Sequence, residues 1–167
     1  MLSFNLTIIT IFGLSFLPSF EGRYALVFGI LSGVSPLASM LAATLAITIL
    51  SAVLPLVFPK IDSLMFWLRR HEGKIRGKVA SAYLSHVTRI RGRVKPYIDR
   101  YGIPSLIVFI ALPLPSSGVW TGALVAYLLG ISKLKTFIIL LVGGVLSNLI
   151  TLTLTMLGFT IPIPSLT

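Results

Sequence analysis

Glu21 and Arg23 are the only charged residues in the first 59 positions of the chain, which are otherwise apolar enough to enter a membrane. Ionisable side chains at membrane depth are costly, and they usually line a pathway or pair with each other. Both lie close to Pro18, where a helix must bend or unwind. We therefore identify Glu21 and Arg23 as candidate residues for binding a substrate or a proton. A structural alternative is that Glu21 stabilises a helix start and Arg23 extends to the membrane surface.

A second candidate feature is the turn sequence PLPSSG, from Pro113 to Gly118. A helix that begins after this turn presents free backbone amides, which bind anions together with the helix dipole. If two such helix starts converge beside Arg23, they form a site suited to a phosphate or a carboxylate, although capping by serine explains the same residues. The hydroxyl residues of this candidate site are Ser19, Ser116 and Ser117, and the predicted hairpin breaks are Pro18, Pro113, Pro115 and Gly118.

Asn148 is the third candidate feature, within the last apolar segment. Helical spacing places it on one face with Gly144, Thr151 and Thr155. This face either completes a polar cavity or forms hydrogen bonds between helices.

The composition excludes a water-soluble enzyme. Of the 167 residues, 56% are hydrophobic and 11% are charged, whereas a soluble domain has about 25% charged residues. The chain has no cysteine, and its two histidines lie among arginines, so we expect no catalytic triad, no metal and no cofactor. We predict an integral protein of the plasma membrane that binds no nucleic acid.

The apolar windows predict two kinds of membrane element. Residues 36–58 and 136–158 are predicted to be continuous transmembrane helices, since each covers about 20 apolar residues. Residues 4–33 and 103–131 are interrupted by proline and glycine, and unwound backbone is tolerated in lipid only where protein or a polar cavity covers it. We therefore predict that these two segments are re-entrant helical hairpins lining a polar site.

An internal repeat supports this arrangement. Displacing the sequence by 97 residues aligns Leu17–Leu37 with Leu114–Leu134 and gives seven identities. The predicted fold is an all-α integral membrane protein in which the first repeat (1–59) and the second (102–167) each contain a hairpin and a helix. Because positive charges stay on the cytoplasmic side, the charges at Lys60 and Lys133 predict an inverted topology, with both termini extracytoplasmic.

Residues 60–101 separate the two repeats and contain 11 basic and 3 acidic residues. Asp62 or Ser63 is predicted to cap a short interfacial helix, and a second amphipathic helix with a kink at Pro96 is predicted to follow. The basic charges either set the topology alone or also attract anionic lipid or a partner.

The segments FEGRYALVFGILSG and ALPLPSSGVWTGALVAYLLGISK resemble the small multi-drug export protein family, which looks like a branch of the DedA/VTT (SNARE-associated) membrane proteins. Members of that superfamily include lipid scramblases and polyprenyl-phosphate translocases. The resemblance implies paired re-entrant hairpins and a functional carboxylate at Glu21. Many DedA proteins have an arginine before the second-loop proline, where this chain has Ile110, Ala111 and Leu112. In this chain, Arg23 is the candidate to substitute for that arginine.

Three functions follow as expectations. The first is a DedA-like secondary transporter, flippase or scramblase that moves an anionic phospholipid or polyprenyl-phosphate headgroup with possible proton coupling. The second is a proton-coupled exporter of small cationic compounds, and the third is a non-transporting membrane scaffold. The expected partners are membrane lipids, a small-molecule or lipid substrate, and protons, and the sequence leaves open whether a homodimer completes the site.

Overall fold

The computed structural model is helical and describes residues 2–18, 20–70, 81–82, 85, 88–89, 92, 102–113 and 117–158. The predicted all-α class is confirmed for these residues. The helices that build the site are α1 (Leu2–Leu14), α2 (Glu21–Leu31), α3 (Pro36–Arg70), α4 (Gly102–Ala111), α5 (Val119–Leu128) and α6 (Lys133–Met156).

Two of these helices are long and apolar enough to cross a membrane. They are Pro36–Ile61, which is the first part of α3, and Lys133–Met156, which is α6. Both predicted transmembrane helices therefore exist as helices. The first begins at the predicted residue, and the second lies within three residues of its predicted bounds.

The end of α3 differs from the prediction. The helix continues through Pro55 and Pro59 to Arg70, so no separate helix begins at Asp62 or Ser63. The Ser63 hydroxyl donates to the Pro59 carbonyl oxygen at 3.0 Å, within the same helix. A proline removes one backbone donor but leaves the rest of the ladder intact, and a helix tolerates it where neighbours pack around it. Of the predicted second amphipathic helix, the structure describes residues 81–82, 85, 88–89 and 92, which are helical, while Pro96 and its predicted kink lie outside the described residues.

The remaining helices form two short pairs. The helices α1 and α2 have 13 and 11 residues, and α4 and α5 have about ten each. At 1.5 Å per residue these lengths are about 15 to 20 Å, which is less than the ~30 Å of a hydrocarbon core. Helix α1 packs on α2 and α3, while α4 contacts α5 and α6 through Ile110. These lengths fit the predicted hairpins, and the side from which each hairpin enters the membrane stays a prediction.

We call α2 and α5, the second helix of each short pair, the inner arms. Both inner arms end in the same type of turn. After α2, Gly33 has a φ of +83° and the amide of Val34 donates to Gly29 at 3.0 Å. After α5, Gly130 has a φ of +69° and the amide of Ile131 donates to Ala126 at 3.0 Å. A left-handed glycine with this bond closes a helix end. The two turns are 97 residues apart, as the sequence alignment requires.

The core lies between the two long helices. Helices α3 and α6 run antiparallel, since Thr44 bonds Asn148 and Ile47 lies against Gly144, and each inner arm packs on both of them. The side chain of Ile47 also fills the space beside Gly22, where an added Cβ would lie 2.7 Å from its Cδ1. This close approach brings α2, α3 and α6 together at the start of α2.

Candidate functional site

Glu21 is the first residue of α2 and is 5% exposed. Its φ is +49°, and among the described residues it is the only one other than glycine with a positive φ. This conformation costs about 1–3 kcal/mol for a residue with a side chain, and it persists only where the surrounding structure holds it. Strain at a buried ionisable residue marks this position as a candidate functional site.

The Glu21 carboxylate binds the beginning of the other inner arm. It accepts hydrogen bonds from the backbone amides of Val119 and Trp120, the first two residues of α5. The two helix starts therefore converge, which is the condition that the sequence analysis set for an anion site. The anion at the start of α5 is the protein's own carboxylate, which the sequence analysis did not predict.

Gly118 makes this approach possible. A Cβ added at Gly118 would overlap the carboxylate of Glu21. The backbone of Gly118 is extended, with a φ of −110°, so glycine is required here by space rather than by backbone conformation. The first hairpin thus inserts a carboxylate where the second hairpin lacks a side chain.

Arg23 joins the same site from the first turn of α2. Its Nη2 donates to Glu21 Oε2 at 2.9 Å, and its Nη1 donates to the Leu112 carbonyl oxygen at 3.0 Å and to Ser117 Oγ at 3.3 Å. The guanidinium also lies 5.6 Å from the ring centre of Tyr24, within the range of a cation–π contact. The side chain of Arg23 is 3% exposed, so the alternative in which it extends to the membrane surface is wrong.

Asn148 lines the same site on the α6 side. Its Nδ2 donates to Thr44 Oγ1 at 3.4 Å, and it lies with Ile47, Gly144 and Ser147 around the charged pair. The space between these residues has no room for a water molecule. Within the described part of the chain, three buried polar atoms of this lining have no hydrogen-bond partner, namely Arg23 Nε, Ser147 Oγ and Asn148 Oδ1.

The other predicted residues are placed as follows. Ser117 bonds Arg23 and donates to the Leu112 carbonyl at 2.6 Å, and the N-cap of α5 is Gly118, without a side-chain cap. Pro18 lies in an exposed turn between α1 and α2, and Pro113 follows the end of α4. Ser19, Pro115 and Ser116 lie outside the described residues.

Sequence reasoning missed three contributors to the site, which are Thr44, Ser147 and the carbonyl of Leu112. Small hydroxyl residues are common in apolar helices, so Thr44 and Ser147 give no distinct signal. A backbone carbonyl leaves no signal in the sequence at all. Among the described residues, no group of three or more carboxylates or histidines is placed to hold a metal ion.

Residues 21–150 match the family model described as "Putative small multi-drug export protein". The chain belongs to this family. The matched region begins at Glu21 and includes Arg23, the second break and Asn148, so it contains the residues that the structure brings together at the site, but not Pro18 or Ser19. An export family and two long apolar helices together indicate a membrane protein. No curated protein and no solved structure matches the chain.

Proposed function

We propose that this protein is a proton-coupled secondary transporter of an anionic group, in which Glu21 and the substrate alternate at one anion site. The single observation that carries the proposal is the position of the Glu21 carboxylate. It occupies the ordinary place of a bound anion, against the first amides of α5 and beside the guanidinium of Arg23.

Charge balance favours an anionic substrate. Glu21 and Arg23 neutralise each other, and the start of α5 adds a partial positive charge. When Glu21 takes up a proton, its bonds to Arg23 and to the α5 amides lose their charge-assisted strength. A phosphate or carboxylate then replaces the carboxylate at the same donors, whereas a cation would first have to displace Arg23.

The unpartnered atoms of the lining support exchange of partners. A buried polar group without a hydrogen bond raises the free energy of the folded protein by about 1–3 kcal/mol. Arg23 Nε and Asn148 Oδ1 are two such groups in this structure. A substrate that offers both acceptors and donors satisfies them. The short hairpin helices, too short to span a membrane, are consistent with a substrate site between two broken elements.

The source of the anionic group is the finer part of the proposal. Resemblance to the DedA/VTT membrane proteins favours the headgroup of a phospholipid or a polyprenyl phosphate, moved across the plasma membrane. On this proposal membrane lipids are substrates as well as surroundings, and protons are the coupling ion.

A second candidate function is proton-coupled export of small cationic compounds, which the description of the family favours. In that case Glu21 releases Arg23 and binds the cation directly. The two functions make opposite demands on Arg23, because it binds the substrate in the first and competes with the substrate in the second.

Reconstitution into liposomes tests the two functions. The assay measures headgroup accessibility of labelled phospholipid and polyprenyl-phosphate probes, beside uptake of a cationic dye, for the unmodified protein and for Arg23→Gln. Gly13→Ala is the control, because a Cβ at Gly13 has no neighbour within 4 Å. Lipid movement that Arg23→Gln abolishes supports the anion transporter. Dye uptake without lipid movement supports the exporter. The absence of both lipid movement and dye uptake supports a non-transporting scaffold.

A further inference from the structure

Two sets of hydroxyl groups differ in how they are bonded within the described part of the protein. In the first set, the hydroxyl donates to the carbonyl oxygen four residues earlier, the usual solution for serine or threonine in an apolar helix. This set includes Ser15, Thr48, Thr153 and Thr155, with distances between 2.7 and 2.9 Å. In the second set, the hydroxyls are buried and have no partner among the described residues. These are Ser39, Ser51, Ser147 and Thr151.

Two hydroxyls of the second set, those of Ser147 and Thr151, lie on one face of α6, and Ser147 lies at the candidate site. Ser147 and Asn148 line the space beside Glu21, and Thr151 lies one turn further toward the end of α6. Asn148 Oδ1 lacks a partner as well, and both Asn148 and Thr151 are 0% exposed. Unpartnered polar atoms therefore run along α6 for about 6 Å from the level of Ser147.

The two directions away from Glu21 differ in length and polarity. From Ser147 to Met156, where α6 ends, the rise along the helix is about 14 Å. From Ser147 back to Lys133 the rise is about 21 Å, and this part packs in an apolar cluster with Leu54, Phe58 and Leu140. Ser51 lies on that side, one turn of α3 beyond Ile47, and apolar side chains follow it. The direction toward Met156 is the shorter of the two and contains Thr151. It leads to the end of α6 that is predicted to be extracytoplasmic.

We propose that the face of α6 formed by Ser147, Asn148 and Thr151 is a proton path between Glu21 and the surface where α6 ends. Hydroxyl groups both donate and accept hydrogen bonds. The space beside Glu21 has no room for water in this structure, so the path conducts when the helices separate enough for water molecules to bridge the hydroxyls. A proton from water at the α6 end protonates a Glu21 carboxylate oxygen, and the hydroxyls regain their own protons as the chain resets. This inference rests on the proposed function, in which Glu21 titrates during transport.

The surroundings of Glu21 leave few other groups to exchange protons. Arg23, in contact with Glu21, and Tyr24, beside Arg23, are the titratable groups that α2 contributes. The parts of α3, α5 and α6 that pack around Glu21 contribute no charged side chain within the described residues. A proton that reaches Glu21 through the described part of the protein must therefore travel along neutral polar groups.

Proton uptake by proteoliposomes that contain a pH-sensitive dye tests the path after an acid jump outside. Ser147→Ala and Thr151→Val each remove one hydroxyl of the path, and we expect each to slow proton uptake by about tenfold. The matched controls are Thr153→Val on the same helix and Ser15→Ala at a buried position just after α1. Both hydroxyls donate to the carbonyl oxygen four residues earlier. Both controls should leave the uptake rate unchanged.

Melting temperatures and Glu21→Gln separate the possible failures. Thr151→Val removes an unpartnered hydroxyl, so it should leave the melting temperature unchanged or raise it, and a fall would overturn the premise. Normal uptake in both path variants, with uptake abolished in Glu21→Gln, overturns the path and leaves the proposed function intact. Uptake that persists in Glu21→Gln overturns the proposed function, and the path with it.

Discussion

The inner arms of the two hairpins, α2 and α5, finish in matching glycine turns but start in different ways. Helix α2 starts with Glu21, a buried charged residue in the left-handed conformation. Helix α5 starts after Gly118, which has no side chain, and its first amides are bonded by that same Glu21. The two arms therefore differ where they meet, although they end in matching turns.

The two hairpins also contribute different kinds of group to the site. The first hairpin supplies both charges, Glu21 and Arg23, and the second supplies backbone donors and acceptors, including the Leu112 carbonyl. Neither hairpin holds the site alone. The turns at Gly33 and Gly130 match, whereas the charged groups lie in α2 and the space that receives the carboxylate lies at Gly118.

An all-or-none result is expected for the topology of the two copies. Ser35 and Ser132 are exposed and occupy equivalent positions, and the chain has no cysteine of its own. In an inverted repeat, Ser35→Cys and Ser132→Cys should react with an impermeant thiol reagent from opposite sides of the membrane. Labelling of both from one side would show that the copies are not inverted.

The largest loss of stability is expected from Gly118→Ala. The added methyl group would expel the Glu21 carboxylate and leave Arg23 buried without its partner. Breaking a buried pair in this way costs about 3–5 kcal/mol. Thermal unfolding in detergent measures the loss, with Gly13→Ala as the control, which should instead stabilise α1 by about 0.5–1 kcal/mol. An unchanged melting temperature for Gly118→Ala would contradict the contact between the two arms.

The sequence predicted the local features of this fold well. Prolines act on the residues next to them, so the breaks near Pro18 and Pro113 and the shortness of the hairpin helices could be inferred directly. The bond between Glu21 and Val119 joins residues 98 positions apart, and it depends on how α2 and α5 pack. The sequence indicated two helix starts and a charged pair, but not that the carboxylate would occupy the anion position of the opposite helix. The sequence does not indicate that α3 continues beyond Pro59, because Pro59 and the potential cap residues Asp62 and Ser63 are all typical of a helix boundary.

A moderate loss is expected where the second hairpin packs on itself. A Cβ at Gly122 would lie 2.5 Å from Ile110 Cδ1, so Gly122→Leu overpacks the contact between α4 and α5. We expect a loss of about 1–3 kcal/mol in thermal unfolding. Tolerance of leucine at this position would mean that Gly122 faces lipid instead of Ile110.

The smallest expected effect is a difference in stability between serine variants at the starts of the two long helices. Ser35 Oγ accepts a hydrogen bond from the Ala38 amide at 3.3 Å, whereas Ser132 makes no side-chain cap at the start of α6. Ser35→Ala should cost about 0.5–1 kcal/mol, and Ser132→Ala should cost close to nothing. Chemical denaturation of the two variants in parallel checks the difference, and equal losses would mean that the two starts are capped alike.

The central claim is that Glu21 and Arg23 act in transport rather than only as a structural pair. Transport against pH in proteoliposomes, with melting temperatures beside it, tests this in Glu21→Gln, Arg23→Gln and the double variant. The account predicts that Glu21→Gln keeps substrate binding but removes the pH dependence, that Arg23→Gln weakens binding of the anion at every pH, and that the double variant stays inactive. Each single variant also breaks the buried pair and should lose about 3–5 kcal/mol, much of it recovered in the double variant, so transport rather than stability decides between the two roles. Full transport activity and restored stability in the double variant would contradict the account.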